Sequence, residues 1–193
     1  MKKIASFHRH YCTPMKAFFQ TPRLHIRPIE PDDLASVYKG LSHPEVIRYY
    51  GVSYTSLEAT QAQMDWYQKL PHEKSGQWWA ICKRDSLEFL GAIGLNDWEQ
   101  QHRKAEFGLW LLPEHWRKGY IQEAVPPMLN YAFEEMKLHR IEAFVESENQ
   151  ASQKALRRLG FQHEGSMRDA EFKNGRFISL EIFAFFEEEI SKL

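Results

Sequence analysis

Between residues 124 and 136 the apolar side chains fall at Ala124, Val125, Met128, Leu129, Ala132, Phe133 and Met136. That three-and-four spacing puts a single stripe along one side of a helix and predicts that this side is buried. A second helix is predicted where Pro31, Asp32 and Asp33 supply the start and Leu34, Val37, Tyr38 and Leu41 repeat at the same spacing. A third runs from Ser56, as its N-cap, to about Leu70, with Met64 and Tyr67 on one side and Pro71 closing it. A short one is marked by Ala151, Ala155, Leu156 and Leu159. It stops at Gly160, because glycine can take the left-handed conformation just past a helix end.

Elsewhere the period falls to two. Leu-His-Ile-Arg at 24–27 alternates as a strand and ends at Pro28, and 78–83, 89–95 and 105–112 are strand-like runs separated by turn material. In the last of these Phe107, Leu109 and Leu111 face one way and Trp110 and Leu112 the other, so this strand is expected to be central and covered on both sides. Residues 140–146 alternate through Ile141, Ala143 and Val145, and 177–186 read as a long final strand. The order is strand, two helices, three strands, helix, strand, helix, then one or two strands. It predicts an α+β (mixed α/β) fold with a mostly antiparallel central sheet. Residues 1–20 show no period and are expected to be an extension, with Met15 a possible second start. Residues 21–193 are expected to form a single domain.

Composition narrows the partners. A net charge of −1 over 193 residues gives no electrostatic case for nucleic acid or an anionic membrane. Two cysteines, Cys12 and Cys82, imply no disulfide framework, and no apolar run has the length of a membrane span or the form of a signal peptide. A cytoplasmic protein, monomer or homodimer, is the expectation. His8, His10 and Cys12 lack a fourth ligand, so no metal is expected, and Cys82 reads as a small buried hydrophobe. Of Trp78 and Trp79, one is expected in the core and the other on a cleft wall.

Two segments carry chemistry. After Leu111 the central strand gives way to a basic turn at 116–122, Trp-Arg-Lys-Gly-Tyr-Ile-Gln, from which a helix begins. Unpaired N–H groups at a helix start, with Arg117 and Lys118 beside them and Gly119 allowing close approach, make an anion site. The second segment, 149–161, places Asn149 as a helix cap with an amide to spare, Ser152 one turn in, and Gly160-Phe161 at the end.

In this order and spacing the two segments, with Thr-Pro-Arg-Leu-His-Ile-Arg-Pro at 21–28, Ala-Glu-Phe-Gly-Leu-Trp-Leu at 105–111 and Leu-His-Arg-Ile-Glu at 138–142, resemble the GNAT superfamily of acetyl-CoA-dependent N-acetyltransferases. The nearest likeness is to its RimJ/RimL group. The resemblance implies helices on both faces of the sheet and acetyl-CoA as cosubstrate. It implies pyrophosphate binding at Trp116, Arg117, Lys118, Gly119, Tyr120, Ile121 and Gln122, with the pantetheine arm along Leu109, Trp110 and Leu111 and near Asn149 and Ser152. Many members carry a tyrosine acid where this chain has Leu156; the RimJ/RimL group lacks it and has a serine matching Ser152. Ile121 stands where the family has Gly or Ala and is expected to crowd the turn. Pro126 and Pro127 are expected to shift the helix start toward Ala124 or to kink it.

The resemblance implies Glu106 as the base, through a water, and Ser152 as the acid for the departing thiolate. The acceptor is expected to be a protein or peptide N-terminal amine. The alternatives are a small amine (polyamine, amino acid or antibiotic) and a non-catalytic CoA-binding module. A peptide acceptor calls for an open cleft between the 56–70 helix and the last strands, a small amine for an acidic closed pocket.

Overall fold

The computed structural model describes residues 18–192. His8, His10, Cys12 and Met15, and most of the expected extension, lie outside them. The first strand, β1 (Phe19–Gln20), pairs antiparallel with β2 (Leu24–Pro28), so the chain has joined the sheet before residue 21. A 3-10 turn, Pro31–Asp33, leads into α1 (Leu34–Leu41). Its Asp33 carboxylate accepts two bonds from Arg27, at 2.7 and 2.8 Å, and one from the Glu30 amide. The one-turn helix α2 (Pro44–Ile47) is too short to leave a periodic signal in the sequence.

Ser56 caps α3 (Leu57–Glu73) as expected, accepting from the Ala59 amide at 3.1 Å. Pro71 does not close this helix. Its missing N–H forfeits only the bond to the Tyr67 carbonyl, and the helix continues to Lys74, whose left-handed conformation (φ 54) ends it.

Then come β3 (Gln77–Lys83), β4 (Phe89–Glu99) and β5 (Lys104–Leu111), an antiparallel meander. Helix α4 (Tyr120–Glu134), strand β6 (Arg140–Glu146), helix α5 (Gln150–Arg158) and the hairpin β7 (Gln162–Lys173) and β8 (Arg176–Phe186) follow. The eight strands of the described residues form one sheet in the order β1-β2-β3-β4-β5-β6-β8-β7, antiparallel except for β5 beside β6.

Both faces are covered. The seven apolar residues of the 124–136 stripe are all buried, and with Leu156, Leu159, Phe107, Leu111 and Trp79 they build the core on the α4/α5 face. Val37, Leu41, Met64, Tyr67 and Leu70 from α1 and α3 cover the other face with Trp78, Trp110 and Leu112. The predicted two-sidedness of β5 is therefore correct. Neither neighbouring tryptophan lines an open cleft: Trp79 and Trp78 are buried in opposite cores. The Trp78 ring lies on Gly94 and Gly108, where an added Cβ would come within 2.3 and 2.4 Å of it. Cys82 is buried, and burial pushes its thiol up to about 11. Gly160 takes φ 89 past the end of α5, as expected. Among the described residues no helix is long and apolar enough to cross a membrane.

Candidate active site

The only parallel pairing among the described residues is also the shortest among the central strands of the sheet. β5 and β6 match at Lys104↔Arg140, Ala105↔Ile141 and Glu106↔Glu142, and there the ladder stops. Beyond it β5 keeps its partner β4 as far as Gly91↔Leu111, and β6 keeps β8 as far as Glu146↔Leu180. The two inner edges therefore diverge from Glu106 onward as a wedge.

Backbone directions follow from one bond. The Leu112 amide donates to the Leu90 carbonyl on β4 at 2.9 Å, so by alternation the peptide groups of Trp110 and Gly108 also face β4. Those of Leu109 and Leu111 then face the wedge, where a buried N–H or C=O needs a partner. The Leu111 carbonyl finds one in the Trp116 indole N–H at 2.8 Å, which pulls the basic turn against the mouth of the wedge. Trp110 itself is not brought to the wedge: its ring is buried in the α1/α3 core with its indole N–H 3.4 Å from the Tyr67 hydroxyl.

At the turn Arg117 (φ 60) and Gly119 (φ 76) are both left-handed, and Gly119 is the N-cap of α4 without offering any side-chain bond. The amides of Tyr120, Ile121 and Gln122 thus begin the helix without a side-chain cap. The helix starts at Tyr120 and not near Ala124. Pro126 and Pro127 lie inside it, freeing only the carbonyls of Gln122 and Glu123 at its exposed edge. The Ile121 side chain packs against the main core, so it does not fill the turn as expected.

One cation here was not recognised from sequence. Arg23 donates to the Lys118 carbonyl at 3.0 Å, stacks its guanidinium 4.8 Å from the Tyr120 ring centroid, and binds Glu123 at 2.6 Å. An added Cβ on Gly119 would meet its guanidinium nitrogen at 3.5 Å. Burial works against the Glu123 carboxylate, but Thr21, the Arg23 amide and the Arg23 guanidinium outweigh it and hold its pKa low. The only signal in the sequence was the 21–28 motif, which lies some ninety residues from the turn it serves.

Asn149 caps α5, its Oδ1 accepting from the Ser152 amide at 3.1 Å. Its side-chain NH2 and the Ser152 hydroxyl have no partner among the described residues, and both side chains are half-buried. Ser147, two residues before Asn149, fixes this turn: its hydroxyl donates to Glu181 at 2.7 Å and its carbonyl accepts from Gln153 at 3.0 Å. Leu156 is core.

Glu106 stands at the vertex of the wedge, half-buried, with Asn96 beside it on β4 and Glu142 on β6. Among the described residues no Lys, Arg or His pairs with it. Burial raises its pKa first, with Asp97, Glu142 and Glu171 adding to the effect and a bond from Asn96 opposing it. Glu142, on the same rung, is held by Lys104 at 3.3 Å and Arg140 at 2.8 Å. On the same side, burial first and then nearby Tyr67, Glu106 and Tyr54 push the Tyr50 hydroxyl well up.

Unpaired strand-edge groups, a bare helix start with Arg23 against it and Arg117 and Lys118 in the turn before it, and a free amide and hydroxyl at α5 suit a long, kinked ligand. Its polar arm would add to a strand edge and its other end would be anionic.

A family model described as an acetyltransferase (GNAT) domain matches residues 23–162. The uncharacterized N-acetyltransferase YoaA of Bacillus subtilis is 37% identical over 162 residues, spanning 83% of this chain and 92% of that one. A spermidine N-acetyltransferase from Vibrio cholerae, in complex with CoA and spermine, superposes with TM-score 0.79 at 23% identity over 89% of this chain and 99% of its own. RimL, a ribosomal L7/L12 alpha-N-protein acetyltransferase in complex with coenzyme A, does so with TM-score 0.79 at 21% identity over 88% and 98%.

Proposed function

We infer the acceptor and the residue roles from one premise: this chain belongs to the GNAT acetyltransferase family. It is an acetyl-CoA-dependent N-acetyltransferase, and the cosubstrate supplies an acetyl thioester. The residues of the wedge and turn suit that group. In this reading the amides of Tyr120, Ile121 and Gln122, with Arg117, Lys118 and Arg23, hold the pyrophosphate. The edge of Leu109 and Leu111 pairs with the pantetheine arm, and Asn149 and Ser152 lie along it. An amide of that edge polarises the acetyl carbonyl; preorganised donors of this kind contribute about 3–4 kcal/mol.

The acceptor we favour is the α-amino group of a protein or peptide. The observation that carries this is Glu106, a carboxyl without a cation and with a raised pKa, at the vertex where the strands part. A base of that strength suits an amine that titrates near ~8 better than one near ~10.4. Glu106 takes one proton of the ammonium through a water and the neutral nitrogen attacks the acetyl carbonyl directly; as the C–S bond breaks, Ser152 passes its proton to the leaving thiolate and regains one from the nitrogen that becomes the amide.

A small polycationic amine is the second reading. It is favoured by the carboxylates of Asp97, Glu142 and Glu171 whose charge reaches Glu106.

The test is CoA release by the purified protein against peptides beginning with Ser, Ala or Met and against a panel of di- and polyamines. Turnover of peptides at kcat/KM about tenfold or more above any amine supports the first reading. The reverse ranking overturns it.

A further inference from the structure

The tip of the β7–β8 hairpin is held by charge and not by a core. Lys173 and Arg176 flank the turn residues Asn174 (φ 52) and Gly175 (φ 79), the two left-handed positions of a tight hairpin. Phe172 and Phe177 meet edge to face at 5.1 Å beside it, yet they stay 66% and 64% exposed. The Lys173 ammonium donates to the Glu146 carboxylate at 2.5 Å, the Arg48 carbonyl at 3.1 Å and the Tyr50 carbonyl at 3.4 Å. An ammonium has three N–H donors, so every one is engaged. Arg176 grips Glu148 through two bonds of 2.6 and 2.7 Å.

These contacts join three separate parts of the chain: the hairpin tip, the end of β6 just before Asn149, and the loop after α2. That loop carries Tyr50, whose hydroxyl lies within reach of the Glu106 charge. Between the three parts is a cavity of about 210 Å³ lined by Arg48, Tyr49, Glu146, Glu148, Lys173 and Arg176 among others. The residues of β7 are almost all exposed, so the tip has little apolar burial to keep it closed.

We propose that Lys173 is a latch that sets acceptor specificity: its ammonium fastens the hairpin tip to the Tyr50 loop and so fixes the width of the cleft between them, which we assign as the acceptor's approach. This rests on the acceptor site assigned above. Fastened, the cleft fits an acceptor that is narrow beyond its amine; released, it admits bulkier ones and holds small ones less well. Lys173 acts through the loop and the tip and is a positioning residue, touching neither the acetyl group nor the reacting nitrogen. Arg176 also lines the cavity, beside Arg48 and Tyr49, but its hydrogen bonds go to Glu148 and none to the Tyr50 loop.

The test compares the wild type with Lys173→Met, Lys173→Arg and Arg176→Met, by amide hydrogen exchange and by steady-state kinetics. In Lys173→Met, amides of residues 48–53 and 171–177 should exchange about tenfold faster while those of α4 and β3–β5 are unchanged. KM for a tripeptide or a diamine should rise about tenfold, with kcat within about twofold and KM for acetyl-CoA unmoved, and longer peptides should gain relative to short ones. Lys173→Arg should restore most of both effects, and Arg176→Met should loosen the tip alone. Unchanged exchange in the Tyr50 loop, or a loss shared equally by all acceptors and by acetyl-CoA, would overturn the latch. If the wild type turns over no amine in the panel, the acceptor reading falls while the exchange result still decides the latch.

Discussion

Glu106 and Glu142 sit on one rung and live in opposite surroundings. Lys104 and Arg140 hold Glu142, whereas Glu106 has an amide, other carboxylates and Tyr50 around it and no cation among the described residues. Glu106→Gln should lower kcat about 100-fold, at the low end for loss of a general base, with the KM for acetyl-CoA unchanged. The raised pKa means that the basic form appears only as pH climbs past the ordinary carboxylate value of 4.5. The rising limb of kcat/KM should therefore lie above that pH and vanish in the glutamine variant. Stability follows the same shift. The folded protein holds this proton more tightly than the unfolded chain, so ionising Glu106 costs stability. That cost is absent below the unfolded value and complete above the folded one. Glu106→Gln should accordingly be more stable than wild type at neutral pH, as urea denaturation would read.

Glu181 has the opposite sign. Bonds from Ser166, Ser147 and His163 hold it down to about 2. Its contribution is present above the unfolded value and is lost as pH falls toward the folded one. Glu181→Gln should cost about 1–2 kcal/mol at pH 7, a difference that closes as pH approaches 2; equal destabilisation at both ends would contradict this account.

At the scale of elements, the turn into α4 combines a left-handed glycine with a helix start that has no side-chain cap. Gly119→Glu places a carboxylate beside the Arg23 guanidinium, in the turn that also carries Arg117 and Lys118, and forces φ 76 on a side chain. Acetyl-CoA affinity should fall about 100-fold or more by calorimetry, with about 1 kcal/mol of stability lost, whereas Gly119→Ala should show mainly the second effect. Unchanged affinity in the glutamate variant would move the phosphate site elsewhere.

Elements were legible in proportion to their burial. The α4 stripe, Ser56, Gly160 and the two faces of β5 were readable because each has a periodic or capping signature. Strand β7 was not, since its exposed residues leave no alternation to see. Pro71 as a helix end and the later start of α4 misled because the lost N–H bond and the clash of a proline ring with the carbonyl four residues back did not outweigh the other contacts that carry both helices through. Arg23 and the isolation of Glu106 depend on register and distant contacts, so no local pattern announces them. The Ile121 expectation failed on direction: spacing placed the residue at the turn, but its side chain packs into the core.

The molecule as a whole is a five-strand piece and a three-strand piece joined by the three rungs of β5 and β6 and by the core under α4 and α5. A ligand in the wedge takes the part of the missing rungs. On adding CoA, the amides of Leu109 and Leu111 should slow in hydrogen exchange while those bonded between β4 and β5 keep their rates, with mass spectrometry or NMR as the readout. Equal slowing across the sheet would point to a general tightening and not to a filled wedge. Anything that binds only the folded state raises stability by mass action, about 2.7 kcal/mol at a hundred times its dissociation constant. With the coenzyme in the wedge as proposed, that gain falls on the seam between the two pieces. In a growing cell the lifetime of this protein against proteases should then follow the supply of acetyl-CoA, making starvation a signal for its removal.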